Sequence, residues 1–171
     1  MIGRVLALGA VLVLMTAVTA QAQDDEEEYY YEKESAAYAE LYAAGGYFWI
    51  NGSDGGDDKS FGGGATLGSH FTPHFAMDIT YELQSYSTTS LASYNLKYVF
   101  LTDRIQPYIK AGIGVMAGRP NHSFLFMGRF DAGVTFFLTE QIGLRASYGV
   151  GLAKHNNNLL LGNVGLVYYF E

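Results

Sequence analysis

The stretch Phe75-Ala76-Met77-Asp78-Ile79-Thr80-Tyr81-Glu82-Leu83-Gln84 alternates two kinds of residue without a break. Phe75, Met77, Ile79, Tyr81 and Leu83 form one set, and Ala76, Asp78, Thr80, Glu82 and Gln84 the other. A strand sends successive side chains to opposite faces, so a period of two separates the sets cleanly. At about 3.6 residues per turn, both sets would smear round a helix axis. The stretch is a strand with one face apolar except for a tyrosine hydroxyl and the other holding two carboxylates.

The same alternation recurs on either side. Phe61, Gly63, Ala65, Leu67, Ser69 and Phe71 oppose Ser60, Gly62, Gly64, Thr66, Gly68 and His70 in a second strand. A fourth sets Ala92, Tyr94, Leu96, Tyr98 and Phe100 against Ser93, Asn95, Lys97 and Val99. A fifth sets Ile109, Ala111, Ile113, Val115 and Ala117 against Tyr108, Lys110, Gly112, Gly114 and Met116. The sixth, Phe124 to Phe136, puts Arg129 and Asp131 in one phase, and the seventh, Ile142 to Leu152, places Arg145 likewise. The eighth runs from Leu160 to Phe170. The first lies within Leu41 to Asn51, where both sets are apolar and neither face declares itself.

Polar loops separate the strands at Asn51–Asp58, Ser85–Ser90, Gly118–His122 and Lys154–Asn158. The first holds Asp54, Asp57 and Asp58 but lacks the closing Glu and ligand spacing of an EF-hand, so turn chemistry is the reading. The intervening connections repeat one pattern: Phe71-Thr72-Pro73-His74-Phe75, Leu101-Thr102-Asp103-Arg104-Ile105 and Leu138-Thr139-Glu140-Gln141-Ile142. All three fall on one side of the sheet and suit short periplasmic turns.

The chain has 171 residues, no cysteine and 16% charged residues, against roughly 25% in ordinary soluble domains. Its length suits one domain, and without cysteine there is no disulfide framework or thiolate metal site. The net charge of −7 is concentrated: residues 23–40 carry eight acids and Lys33, while the chain from Leu41 onward is nearly neutral. No basic stripe points to nucleic acid. Met1 to Ala22 has the layout of a secretory signal, with Arg4, an apolar run from Val5 to Val18, and Ala20-Gln21-Ala22 as cleavage site. Residues 23–40 read as a solvated acidic, tyrosine-rich arm, partly helical over Ser35 to Ala39, and 41–171 as the folded domain.

Every charge within strands two to eight, as bounded above, lies in one phase: Asp78, Glu82, Lys97, Lys110, Arg129, Asp131 and Arg145. Seven charges are thin for a soluble barrel's exterior, but suit the interior of an eight-stranded barrel, which side chains just fill. The uncharged phase, rich in Phe, Leu, Ile and Val, then faces hydrocarbon. Its aromatics Phe71, Phe75, Tyr98, Phe100, Phe136, Tyr168 and Phe170 gather at the turn end, as an aromatic girdle would. Lipid offers no partners to a sheet edge, so strand one must pair with strand eight. The expected fold is all-β, an eight-stranded antiparallel up-and-down transmembrane β-barrel.

Gln106-Pro107-Tyr108-Ile109-Lys110-Ala111-Gly112-Ile113-Gly114-Val115 resembles the fifth strand of small outer-membrane β-barrel proteins: the outer-membrane protein A-like, outer-membrane protein X-like and opacity-like barrels. Asp131-Ala132-Gly133-Val134, Leu138 to Arg145 and the terminal Val167-Tyr168-Tyr169-Phe170 match the same type. One departure is that Glu171 follows the aromatic residue on which the family usually ends. The resemblance spans about Tyr42 to the end. It implies the bacterial outer membrane, with outer-membrane lipid and the barrel-assembly machinery as partners.

Some barrels of this size are lipid-modifying enzymes, which need a His-x-Ser pair and a carboxylate to orient the His. Here Ser69 directly precedes His70, and His122 directly precedes Ser123, so each pair would split across the two faces. His74, His122 and His155 fall in turns or loops, and no phosphate loop, zinc motif or nucleotide fingerprint occurs. The expectation is a non-enzymatic barrel without cofactor, structural or surface-interacting, its lumen plugged by the inward charges. The alternatives are a lipid-modifying enzyme, or a small-solute channel or binder using its loops. Those loops are short for a dedicated adhesin.

Overall fold

Eight antiparallel strands pair in sequence order, and β1 pairs with β8, so the sheet closes on itself without an edge. The computed structural model describes residues 36–49, 58–85, 89–118, 123–153 and 157–170. The signal-like segment, the acidic arm up to Ser35, most of the 51–58 loop, and His122 and His155 lie outside these residues.

The strands are β1 (Ala37–Trp49), β2 (Asp58–His70), β3 (Phe75–Gln84), β4 (Thr89–Val99), β5 (Ile105–Gly118), β6 (Ser123–Phe137), β7 (Ile142–Ala153) and β8 (Asn157–Tyr169). In β3, Ala76, Asp78, Thr80, Glu82 and Gln84 are buried and the alternate residues are exposed. The polar face therefore lines the lumen and the apolar face forms the outer wall. That wall exposes Leu41, Phe61, Leu67, Ile79, Leu83, Ile113, Phe124 and Phe126, the last at 81%. An apolar surface of this extent exceeds what a soluble monomer displays, and a lipid-embedded barrel requires it.

Register around the wall sets the tilt. Side-by-side partners lead from Tyr38 through Gly68, Asp78, Asn95, Gly112, Arg129, Gly151 and Leu159 to Phe48, ten residues further along β1. A stagger of this kind inclines every strand to the barrel axis. Residues level with one another in the lumen are therefore not direct neighbours in the ladder.

The three short turns share one end with both termini of the barrel. In the first and third, one design repeats: Phe71 and Leu138 N–H donate to the carbonyls of Phe75 and Ile142. Thr72 Oγ1 accepts from Phe75 N, and Thr139 Oγ1 from Gln141 and Ile142 N. The second turn departs from the expected common pattern. Phe100 N bonds to the Pro107 carbonyl, and residues 105–107 pair with β6 while lying beyond β4. Pro107 has no N–H to return that bond, and a strand end tolerates this where a strand interior does not.

Several strands exceed their expected bounds. β1 starts at Ala37, so Ala37–Glu40, read from sequence as the end of the arm and as partly helical up to Ala39, are strand and belong to the barrel wall. The reason is tertiary: Tyr38 and Glu40 find partners on β3 and β7 that only closure supplies. β2 starts at Asp58, which brings Lys59 onto the outer wall, exposed. This breaks the rule that all strand charges share the inward phase. Lys59 stands at the strand's loop end, where a long stem lets an ammonium reach the interface.

Candidate functional site

The inward face of β1 was not legible from its two apolar sets, and the structure selects Tyr38, Glu40, Tyr42 and Ala44. Tyr38 Oη donates to Asp78 Oδ2 and Tyr42 Oη to Glu82 Oε2, both at 2.9 Å across the barrel from β1 to β3. These rings need room beside them. Tyr38 is the register partner of Gly68, where an added Cβ would lie 2.5 Å from the ring carbon bearing the hydroxyl. Tyr42 covers its partner Gly64 in the same way, and Tyr108 covers Gly133 on β6. Inward glycines on β2 and β6 are thus the seats of inward tyrosines, a cross-strand pairing that shields exposed glycine backbone.

All seven sequence-expected charges, Asp78, Glu82, Lys97, Lys110, Arg129, Asp131 and Arg145, are buried inside, and Glu40 joins them. The lumen holds four acids and four bases. Arg129 Nε reaches Asp131 Oδ2 at 2.8 Å and Arg129 Nη1 reaches Glu82 Oε2 at 3.2 Å, tying β6 to β3. Glu82 also accepts from Gln84 Nε2. Arg145 Nη1 meets Glu40 Oε2 at 2.5 Å, and its Nε donates to Thr135 Oγ1 at 2.9 Å. Lys110 Nζ stands 3.9 Å from Asp78 Oδ1, which also accepts from Asn95 Nδ2 at 2.7 Å.

Lys97, 1% exposed, is held differently: its ammonium lies 4.1 Å from the centre of the Tyr38 ring and 5.6 Å from that of Tyr108. Arg145 stands over the same two rings. Aromatic faces offset part of a cation's desolvation without a carboxylate of their own. Buried ions are costly unless partnered on several sides, and multiple acceptors for each guanidinium meet that need.

Apolar layers lie at both ends of this ionic belt. At the turn end, Tyr38, Ala76, Phe137, Val167 and Tyr169 form one cluster. His70 packs beside it, its ring centre 5.6 Å from that of Tyr38 and 5.8 Å from that of Tyr169. At the loop end, Leu91, Met127, Leu159 and Leu161 form the other, with Met116 and Ala153 against it. Sequence reading missed both layers. A partial signal was available: Leu91, Met127, Leu159, Leu161 and Phe137 occupy the polar phase toward the ends of their strands.

The seven sequence-expected girdle aromatics lie on the outer wall at the turn end. Phe71, Phe75, Tyr98 and Phe100 form a chain of ring contacts, with centres 6.0, 4.9 and 5.1 Å apart. Tyr168 and Phe170 pair edge-on at 5.2 Å, and Arg104 covers Phe136 at 5.0 Å. Among the described residues, no group of three or more His, Asp or Glu side chains is placed to hold a metal ion.

A closed, eight-stranded barrel with an ionic core and an apolar outside is the architecture of a small outer-membrane protein. The chain belongs to the family described as outer membrane protein beta-barrel domain, whose model matches residues 10–170. It is a protein of the bacterial outer membrane. Neisserial surface protein A is similar in structure, with a TM-score of 0.62 and 17% identity over 78% of this chain and 97% of that one. The N-terminal β-barrel domain of Pseudomonas aeruginosa OprF matches with a TM-score of 0.61 and 18% identity, covering 81% of this chain and 99% of that one. Ail, the attachment invasion locus protein of Yersinia pestis, matches with a TM-score of 0.57 and 15% identity, covering 80% and 99%. At these identities the likeness concerns the fold. No curated protein sequence matches the chain.

Proposed function

We propose that this protein is a non-enzymatic outer-membrane barrel with a structural or surface-interacting role, its lumen plugged against the passage of solutes. The observation that carries this reading is the stacking of three layers along the axis: the turn-end aromatic cluster, the belt of eight ions, and the loop-end aliphatic cluster. Among the described residues, apolar clusters flank the charged belt on both sides along the lumen. The belt is neutral overall and cross-linked from β1 and β6 to β3 and from β7 to β1, so it holds the barrel wall to itself. The turn-end aromatics sit at headgroup level on this reading, with outer-membrane lipid around the wall and the barrel-assembly machinery acting during biogenesis.

The absence of catalysis is supported by the placement of the described histidines. His70 points into the lumen while its neighbour Ser69 faces outward, and His74 Nδ1 is within 2.8 Å of the Val99 carbonyl oxygen. The test is reconstitution of the purified protein in planar bilayers. Negligible steady conductance is expected, and large, stable, ion-selective currents would move solute transport to first place.

A further inference from the structure

Contacts divide the eight lumenal ions into two groups that are not separately neutral. One gathers round Tyr42, the inward tyrosine nearer the loops. Glu82 accepts from its hydroxyl, and Arg129 joins Glu82 to Asp131, which makes two acids and one base. The other gathers round Tyr38 on the turn side. Asp78 accepts from its hydroxyl and meets Lys110, while Lys97 and Arg145 lie over its ring and Arg145 meets Glu40. That makes two acids and three bases. The belt is neutral as a whole, but its turn-side half carries one cation too many.

The surplus falls on Lys97. Among the described residues, no carboxylate oxygen lies within 4.0 Å of its ammonium. Its register partner on β5 is Lys110, so two like charges stand directly opposite each other, an unfavourable pairing. From β7, Arg145 leans on the same two rings, Tyr38 and Tyr108. Ring faces offset only part of the cost of burying a cation. Arg145 also has a donor to spare. Its Nη1 and Nε serve Glu40 and Thr135, and Tyr169 touches the guanidinium, yet the buried Nη2 is left without an acceptor. Buried donors are paired in folded proteins as a rule. An unpaired N–H and an ammonium without a carboxylate, both against the same rings, call for one shared negative charge.

We propose that the turn-side lumen binds a small monovalent inorganic anion of halide size, held by Lys97 Nζ and Arg145 Nη2. One such charge neutralises the Tyr38 group, accepts the unpaired N–H, and offsets the repulsion of Lys97 by Lys110 and Arg145. Its size is limited because side chains just fill a barrel of eight strands. Nothing in this depends on whether the lumen conducts.

Bromide is the probe for position. Crystals of the full chain grown in bromide should show an anomalous peak in contact with both Lys97 Nζ and Arg145 Nη2. Chloride is the probe for energy. Urea unfolding from lipid vesicles is followed while gluconate, too large for the site, is replaced by chloride at constant ionic strength. Above the dissociation constant, each tenfold rise in chloride should raise the folding equilibrium constant about tenfold. Lys97→Met keeps the length of the side chain and removes its charge, and should lose both the peak and the chloride dependence. Lys59→Gln, at an exposed lysine on the outer wall, should keep both. If Lys97→Met does not fold, as judged by its heat-dependent gel migration, the wild-type peak and the wild-type comparison of the two salts decide. No peak at Lys97, or an equal effect of chloride and gluconate, would overturn the site. A peak that survives Lys97→Met would mark an adventitious ion only and would overturn it too.

Discussion

Arg145 shows how much of a buried ion's behaviour depends on geometry that spacing alone does not carry. Its inward phase was legible in the alternation of β7, but its partner Glu40 was hidden in an acidic run that reads as a solvated arm. The stagger of ten residues around the barrel decides which strands meet at each level, and no local pattern encodes it. Because Glu40 and Arg145 are both buried, losing one leaves the other uncompensated. Arg145→Ala is expected to destabilise the barrel by about 3–5 kcal/mol, and Glu40→Gln combined with Arg145→Met by less, measured by urea unfolding from lipid vesicles. Equal losses would mean that the ion pair is not what matters. Glycines divide by the same logic. Gly68→Ala drives a methyl into Tyr38, which its bond to Asp78 holds in place, and should cost about 1–3 kcal/mol. Gly128→Ala meets nothing within 4 Å among the described residues and should change stability by less than about 0.5 kcal/mol in the same assay.

At the scale of elements, strands were the most legible feature because a half-buried sheet forces a period of two wherever one face is apolar. Strand ends were less so. β2, β4 and β8 begin earlier than their apolar residues suggest, since strand pairing continues through Asp58, Thr89 and Asn157 without needing an apolar face. The turn pattern was legible as a repeat, but only two of its three copies share a structure. Thr139 Oγ1 accepts two backbone N–H groups, so Thr139→Val should cost about 0.5–1.5 kcal/mol. In the longer second turn the Thr102 carbonyl is the acceptor, from Gln106 Nε2, and Thr102→Val should fall within about 0.5 kcal/mol of wild type. On the outer wall, Leu144 is exposed between inward Gly143 and Arg145. Leu144→Arg should cost about 2–4 kcal/mol if the residue lies near the bilayer midplane, again read by unfolding from vesicles. A neutral result would place this part of β7 away from the hydrocarbon.

For the whole molecule, if the lumen is plugged as proposed, resistance to ion flow adds in series across the three layers. The sequence pointed to the ionic belt, because charge in one phase is conspicuous. It did not point to the apolar ends, because Leu91, Met127, Leu159, Leu161 and Phe137 look like ordinary strand residues until closure turns them inward. Thinning the belt alone should therefore not make a channel. Arg129→Ala removes the link between β6 and β3 and leaves Glu82 and Asp131 without their guanidinium. The variant should lose stability, yet remain silent in planar bilayers, since an entering ion must still cross both apolar layers. Adding Leu161→Ala and Phe137→Ala removes a large side chain from each end, and only the triple variant should show steady current. Its selectivity should favour cations, because the surviving belt then holds four acids against three bases. Steady current from Arg129→Ala alone would show that the ionic belt is the whole barrier and that the apolar layers serve packing. Silence from the triple variant, with its heat-dependent gel shift intact, would show that the remaining side chains refill the lumen.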